Sequence, residues 1–130
     1  MKHLYIILLI LPLICFGQTE YFQEYYDNGQ LIREGNLKEN REEGLWRVYY
    51  ESGQLKQEGN FIDGKQEGLW KFYYKNGQLK IEGNYKNEHR EGLWKWYYES
   101  GQLWSEDNYK DDKLLSSKCW DQNGDKMDCE

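Results

Sequence analysis

The chain repeats itself every 24 residues, and that period restricts its fold more than any other feature. Tyr21 to Gly44, Leu45 to Gly68, Leu69 to Gly92 and Leu93 to Ser116 align without an insertion, and Ser117 to Glu130 reads as a shortened fifth copy. A unit this short cannot bury a core alone, so neighbouring copies must stack to form one. Copy three, LWKFYYKNGQLKIEGNYKNEHREG, shows the grammar. An aromatic-rich run, Leu69 to Tyr74, is followed by Asn76-Gly77, a strong hairpin signal, and by a second run, Leu79 to Tyr85. A looser turn near Asn87-Glu88 leads onward; in copy two that turn is Asp63-Gly64, again a two-residue hairpin signal. The expected fold is therefore all-β: a single-layer, twisted antiparallel meander of β-hairpin repeats with about nine or ten strands.

Taking Ser52-Gly53 as a two-residue turn fixes a register. Trp46 faces Gly59, Arg47 faces Glu58, Val48 faces Gln57, Tyr49 faces Lys56 and Tyr50 faces Leu55. The same rule sets Trp70 against Gly83, Lys71 against Glu82 and Lys95 against Glu106. The glycine leaves room for an indole to lie across the neighbouring strand. Each recurring Glu meets a cation, worth ~0.2–1 kcal/mol per pair. Strand alternation puts Trp46, Val48, Tyr50 and Leu55 on an apolar, packed face, and Arg47, Tyr49, Lys56 and Glu58 on a wetter one. Copy four departs from the rule: Asp107 takes the glycine slot, Trp104 replaces a lysine, and Leu114-Leu115 replaces a polar linker. Terminal repeats cap an array, so copy four and a hairpin over 117–130 are expected to close this one. At the other end Phe22 fills the Trp slot.

Mean hydropathy is −1.05, but 17% of residues are aromatic, which a disordered chain would lack. Residues 1–17, MKHLYIILLILPLICFG, read as a cleaved secretory signal: a basic start, an apolar run from Leu4 to Ile14, then small residues at Cys15 and Gly17. The run is short of the ~20 apolar residues a membrane-crossing helix needs. The alternative is a lipoprotein anchored through Cys15. The FGQ ending resembles leaders of Bacteroidetes-type bacteria, which implies periplasm or exterior. Cleavage removes Lys2 and no acid, so net charge moves from −6 to −7. Such a surface disfavours nucleic acid and anionic membranes. Cys119 and Cys129 remain, and in an exported chain they point to a disulfide across a turn at Asn123-Gly124, with two buried thiols as the alternative.

The elements GLWRVYYESGQLKQEGNF and GLWKFYYKNGQLKIEGNY resemble the MORN repeat variant, across Tyr21 to about Asp112. The tail from Cys119 to Glu130 is similar to the ending of small exported members of that group. Bacterial chains of this type are often labelled YwqK-family antitoxins, which implies an antitoxin-like or immunity-like role. Eukaryotic MORN arrays are twisted hairpin stacks that scaffold proteins or act near membranes. Their histidine pattern is only partly matched here, where His89 is the one histidine after the leader.

Catalytic patterns are missing. A nucleophile needs a neighbouring base, and His89 sits alone in an inter-copy turn as a solvated residue. Glu34, Glu58, Glu82 and Glu106 recur in every copy, whereas a glycosidase carboxylate pair would occur once. Asp121, Asn123 and Asp125 imitate the start of a calcium loop, but Lys126 stands where its glycine belongs. No cofactor or metal is expected. The candidate partner-binding residues are Tyr25, Tyr49, Tyr73 and Tyr97, in one slot of successive copies, near Lys56 and Lys80, with Trp104 at the end. Such a ladder can dock a protein partner or stack a glycan, or it can simply shield the second face of the sheet. The expected function is thus a non-enzymatic protein-interaction or structural module in the cell envelope. An intact mass from the host's envelope fraction should correspond to a chain starting at Gln18, lighter by the two hydrogens lost in a Cys119–Cys129 bond. A full-length reduced chain confined to the cytosol overturns export.

Overall fold

The computed structural model describes residues 17–129. The expected leader up to residue 16, with Cys15, lies outside them. Ten strands form one open antiparallel sheet in which each strand pairs with the next in sequence. The strands are β1 Thr19–Tyr25, β2 Leu31–Lys38, β3 Arg41–Tyr49, β4 Leu55–Ile62, β5 Lys65–Tyr73, β6 Leu79–Lys86, β7 His89–Tyr97, β8 Leu103–Lys110, β9 Lys113–Trp120 and β10 Lys126–Met127. The 24-residue boundaries chosen from sequence fall inside β3, β5 and β7. The terminal hairpin starts earlier than expected, at Lys113 rather than Ser117.

The inter-copy turn is tight in every copy: Asp63-Gly64 is the two-residue turn its sequence signals, and Asn87-Glu88, expected to be looser, is built the same way. Asp63-Gly64 and Asn87-Glu88 both have positive φ at both residues (52° and 77°, 51° and 70°), as a two-residue hairpin turn of the primed type requires. The Asn-Gly and Ser-Gly turns are longer. The Tyr50 N–H donates to the Gln54 carbonyl, and the Gly53 N–H donates to the Tyr50 carbonyl. Of the loop residues Glu51, Ser52 and Gly53, only Gly53 has positive φ (90°). That is a three-residue loop whose glycine supplies the left-handed position. Asn76 reinforces its own loop by accepting the Gln78 N–H at 2.9 Å, a local bond that competes with the two-residue geometry.

The register expected far from the turn holds: Trp46 pairs Gly59, Arg47 pairs Glu58 and Val48 pairs Gln57. Near the turn it fails, because Tyr49 pairs Leu55 and not Lys56. The three-residue loop shifts the pairing by one, and a bulge at Lys56 shifts it back. The expected Tyr50–Leu55 pair is lost for the same reason. Paired residues share a face, so Leu55 moves to the face of Tyr49. Lys56 moves to the opposite one, its Nζ 5.6 Å from the Tyr50 ring centroid.

The core is a line of aromatic rings along one face. Trp46, Trp70 and Trp94 are buried. Phe61 stands edge-on to Trp46 and Trp70, and Tyr85 edge-on to Trp70 and Trp94, with centroids 4.9–6.3 Å apart. A buried indole removes ~200 Å² from water, about 5 kcal/mol per ring at ~25 cal/mol per Å² before entropy is charged. The ring over each glycine belongs to the following copy, not to the Trp paired with that glycine. A Cβ on Gly35, Gly59 or Gly83 would fall inside Cδ2 of Trp46, Trp70 or Trp94 respectively. Each indole N–H then donates to the next carbonyl: Trp46 to Asn36, Trp70 to Asn60 and Trp94 to Asn84, at 3.0–3.1 Å.

The bend that carries the ring there comes from Gly44, Gly68 and Gly92 (φ 72–73°). They lie in bulges where the pairing skips, as between Glu58–Lys71 and Asn60–Glu67. At the end of the array Asp107 is tolerated because β9 carries Lys118, and not Trp, at the position that would lay a ring on it. Ser117 pairs it instead and donates its hydroxyl to the carboxylate. Cys119 and Cys129 are disulfide-bonded, their Cα atoms 5.4 Å apart, and tie β9 to the tail. Gly59→Ala should cost ~2–4 kcal/mol in urea unfolding through overpacking against Trp70. Asp107→Ala, in the equivalent slot without a covering ring, should cost under ~1 kcal/mol.

Candidate functional site

The wetter face carries parallel rows that run across the strands. The glutamate row is flanked by cations on both sides: Glu58 pairs Arg47 on β3 and Lys71 on β5, and Glu82 pairs Lys71 on β5 and Lys95 on β7. Arg47 Nε closes to 3.4 Å from Glu58. The tyrosine row lies on the same face, and its hydroxyls are committed internally. Tyr49 donates to Glu34 at 2.7 Å, Tyr73 to Glu58 at 3.2 Å and Tyr97 to Glu82 at 2.9 Å. Each bond reaches the glutamate of the preceding copy. Tyr25 has no preceding copy among the described residues. It donates to Gln23 on its own strand and is 53% exposed.

These contacts shift the titrations. Burial first, then the Glu34 hydrogen bond, pushes Tyr49 up to about 12. Burial and then Glu82 push Tyr97 up to about 12. Glu34 is held below the usual carboxylate range by the hydroxyls of Tyr21 and Tyr49.

The structure does not bring all the sequence-derived candidates together. Tyr25, Tyr49, Tyr73 and Tyr97 share a face. Lys56 and Lys80 lie on the other, with Lys80 Nζ 5.3 Å from the Tyr74 ring. Trp104 is there too, 6.0 Å from Tyr98 and 6.4 Å from Trp96. The cause is the bulge after each three-residue loop, which inverts the slot at 56, 80 and 104. A second tyrosine row is structural: Tyr26, Tyr50 and Tyr74 donate to the carbonyls of Tyr49, Tyr73 and Tyr97 at 2.6–3.0 Å.

Sequence reasoning missed a row of leucines. Leu45, Leu69 and Leu93, next to the buried tryptophans in the chain, face the other way and are 41%, 47% and 41% exposed. They recur every second strand, about 10 Å apart. A shallow cavity between Leu45 and Leu69 is floored by Glu58, Gly59 and Asn60. The signal was present in each Gly-Leu-Trp triplet: adjacent strand residues point to opposite faces, so a buried Trp implies an outward Leu.

His89 is exposed at the start of β7. It bonds Asp112 at 2.8 Å, which raises its pKa, while the Arg90 backbone N–H, His89 and the Arg90 side chain hold Asp112 at about 2. No nucleophile adjoins it in these contacts. Among the described residues no group of three or more His, Cys, Asp or Glu is placed to hold a metal ion, and no helix is long and apolar enough to cross a membrane.

The MORN repeat variant family matches residues 21–39, 42–63, 66–87 and 90–111. No curated protein matches the chain. In alkaline titration, Tyr49 and Tyr97 should form phenolate near pH 12 in the folded protein, against 10 for a free tyrosine. The native state holds these protons more tightly, so their contribution to stability is full below pH 10 and is lost between 10 and 12. Tyr49→Phe and Tyr97→Phe should remove that late absorbance. Late absorbance unchanged in both variants would refute the assignment.

Proposed function

Because the chain belongs to the MORN repeat variant family across four repeats, whose arrays suggest non-catalytic binding or structural modules, we propose that it binds a protein partner. The docking surface is the face carrying Leu45, Leu69 and Leu93. The observation behind this reading is that leucine row, held in water by a sheet whose other face is filled by tryptophan. Single exposed leucines are ordinary; a periodic row on one face marks an interaction surface.

The tyrosine row supports it as scaffold. With Tyr49, Tyr73 and Tyr97 hydroxyls tied to glutamates, their rings are fixed and lose little entropy on docking. Alternating rows of Glu and Lys or Arg set the register of a partner, since like charges brought together are penalised. This charge pattern favours a protein over a glycan, which would be better served by uncommitted hydroxyls, whereas those of Tyr49, Tyr73 and Tyr97 are already engaged.

Export to the cell envelope rests on the leader at residues 1–17. An immunity-like role is the same binding act with a toxin as partner, and rests on the family resemblance. A photo-crosslinking residue placed at 45, 69 or 93 should capture one common protein from the host's envelope fraction. The same residue at 56 or 80, on the opposite face, should not. Equal capture from both faces, or none from 45, 69 and 93, would sink the leucine face as the site.

A further inference from the structure

The C-terminal end of the array has a pocket that the interior lacks. At each internal junction the slot held by Gly35, Gly59 or Gly83 is roofed by the indole of the next copy. After copy four no such ring follows, because the strand that pairs with β8 carries Ser117 and Lys118 at that level. The volume left over is a cavity of about 400 Å³ lined by Trp96, Trp104, Ser105, Asp107, Leu114 and Ser117, with the disulfide at its base. That is within the ~300–1,000 Å³ of small-ligand sites.

Its walls have a definite chemistry. Trp96 and Trp104 meet at 78°, making a corner of two indoles. Trp104 is 44% exposed, so part of its side chain is open to solvent. The slot that is glycine elsewhere is here a carboxylate, Asp107, which the Ser117 hydroxyl fixes in place. Among the described residues no lysine or arginine reaches ion-pairing distance of it, whereas Asp63 is answered by Arg41 and Asp112 by Arg90. Aromatic faces beside an unanswered carboxylate attract cations through the ring quadrupole and the charge together. An indole cannot lie in this slot as it does in the interior, since the Asp107 side chain occupies the space that glycine leaves.

We propose that this cap pocket binds an organic cation, the guanidinium of an arginine side chain on the protein partner, in the corner made by Trp96 and Trp104 and against Asp107. A guanidinium is planar, stacks on indole and donates to a carboxylate through a fixed fork. The overall charge of −6 steers such a group toward the protein. The pocket's role as an anchor rests on the protein-binding reading; its affinity for the cation does not.

The test uses the isotope-labelled chain with its disulfide intact and N-acetyl-arginine methylamide as the probe. The indole N–H resonances of Trp96 and Trp104 should shift saturably, with a Kd on the order of 1–10 mM, while those of Trp46, Trp70 and Trp94 stay still. Asp107→Asn should weaken binding about tenfold, with the three core indole resonances unmoved as proof of fold. The neutral N-acetyl-glutamine methylamide should produce no saturable shift. Absence of a saturable shift with the arginine probe, equal binding by Asp107→Asn, or equal binding of the neutral probe would each overturn the site. No protein partner is needed, so a negative titration removes the pocket and leaves the leucine face standing. Failed crosslinking with a positive titration does the reverse.

Discussion

The structure depends on one contact made three times: an indole lying flat on a backbone that has no side chain. Trp46, Trp70 and Trp94 cover Gly35, Gly59 and Gly83 of the strand before them. A single-layer sheet has no second layer to bury its apolar face, so the tryptophans themselves serve as that layer. Each spans from its own strand to the preceding one and anchors its N–H on an asparagine carbonyl. The contact lies within the hairpin closed by each tight inter-copy turn and crosses a copy boundary, so no single 24-residue copy contains it. Stability therefore belongs to junctions between copies, as expected for a quasi-one-dimensional array.

Bonds at both sheet edges repeat the same logic. Glu43, Glu67 and Glu91 each accept a backbone N–H from the next tight turn, those of Asp63, Asn87 and Asp111, at 2.8–3.0 Å. On the opposite edge the second tyrosine of each copy donates to a carbonyl one copy ahead, and Tyr98 ends the series on Trp120. The last junction breaks the pattern in one place. Where a fourth core tryptophan would lie, the chain has Asp107, Ser117 and a disulfide, and a pocket takes the place of a ring.

The two faces consequently do different work. One is consumed by the aromatic core. The other must shield the same backbone with shorter side chains, and it does so with hydrogen-bonded Tyr–Glu pairs, leaving the leucines beside them in water. The tyrosine hydroxyls that looked available for recognition are structural, while the exposed apolar side chains of that face are the leucines next to each buried Trp.

The sequence by itself determined the architecture. A 24-residue period without insertions, alternating apolar residues and regular turn dipeptides admit only a stacked meander. The pairings of Trp46 with Gly59 and Arg47 with Glu58 follow from counting. The disulfide was legible from two cysteines flanking a turn. What only the tertiary structure decided is which ring covers which glycine and which face each residue near a turn occupies. A two-residue turn and a three-residue loop plus a bulge give the same register at Trp46, so counting cannot separate them. They place Lys56 and Trp104 on opposite faces, and the hydrogen bonds of Tyr50 with Gly53 and Gln54 select the second. Likewise the bulge at Gly68 swings Trp70 back onto Gly59, a consequence of three-dimensional bending that no pairwise alignment of strands contains.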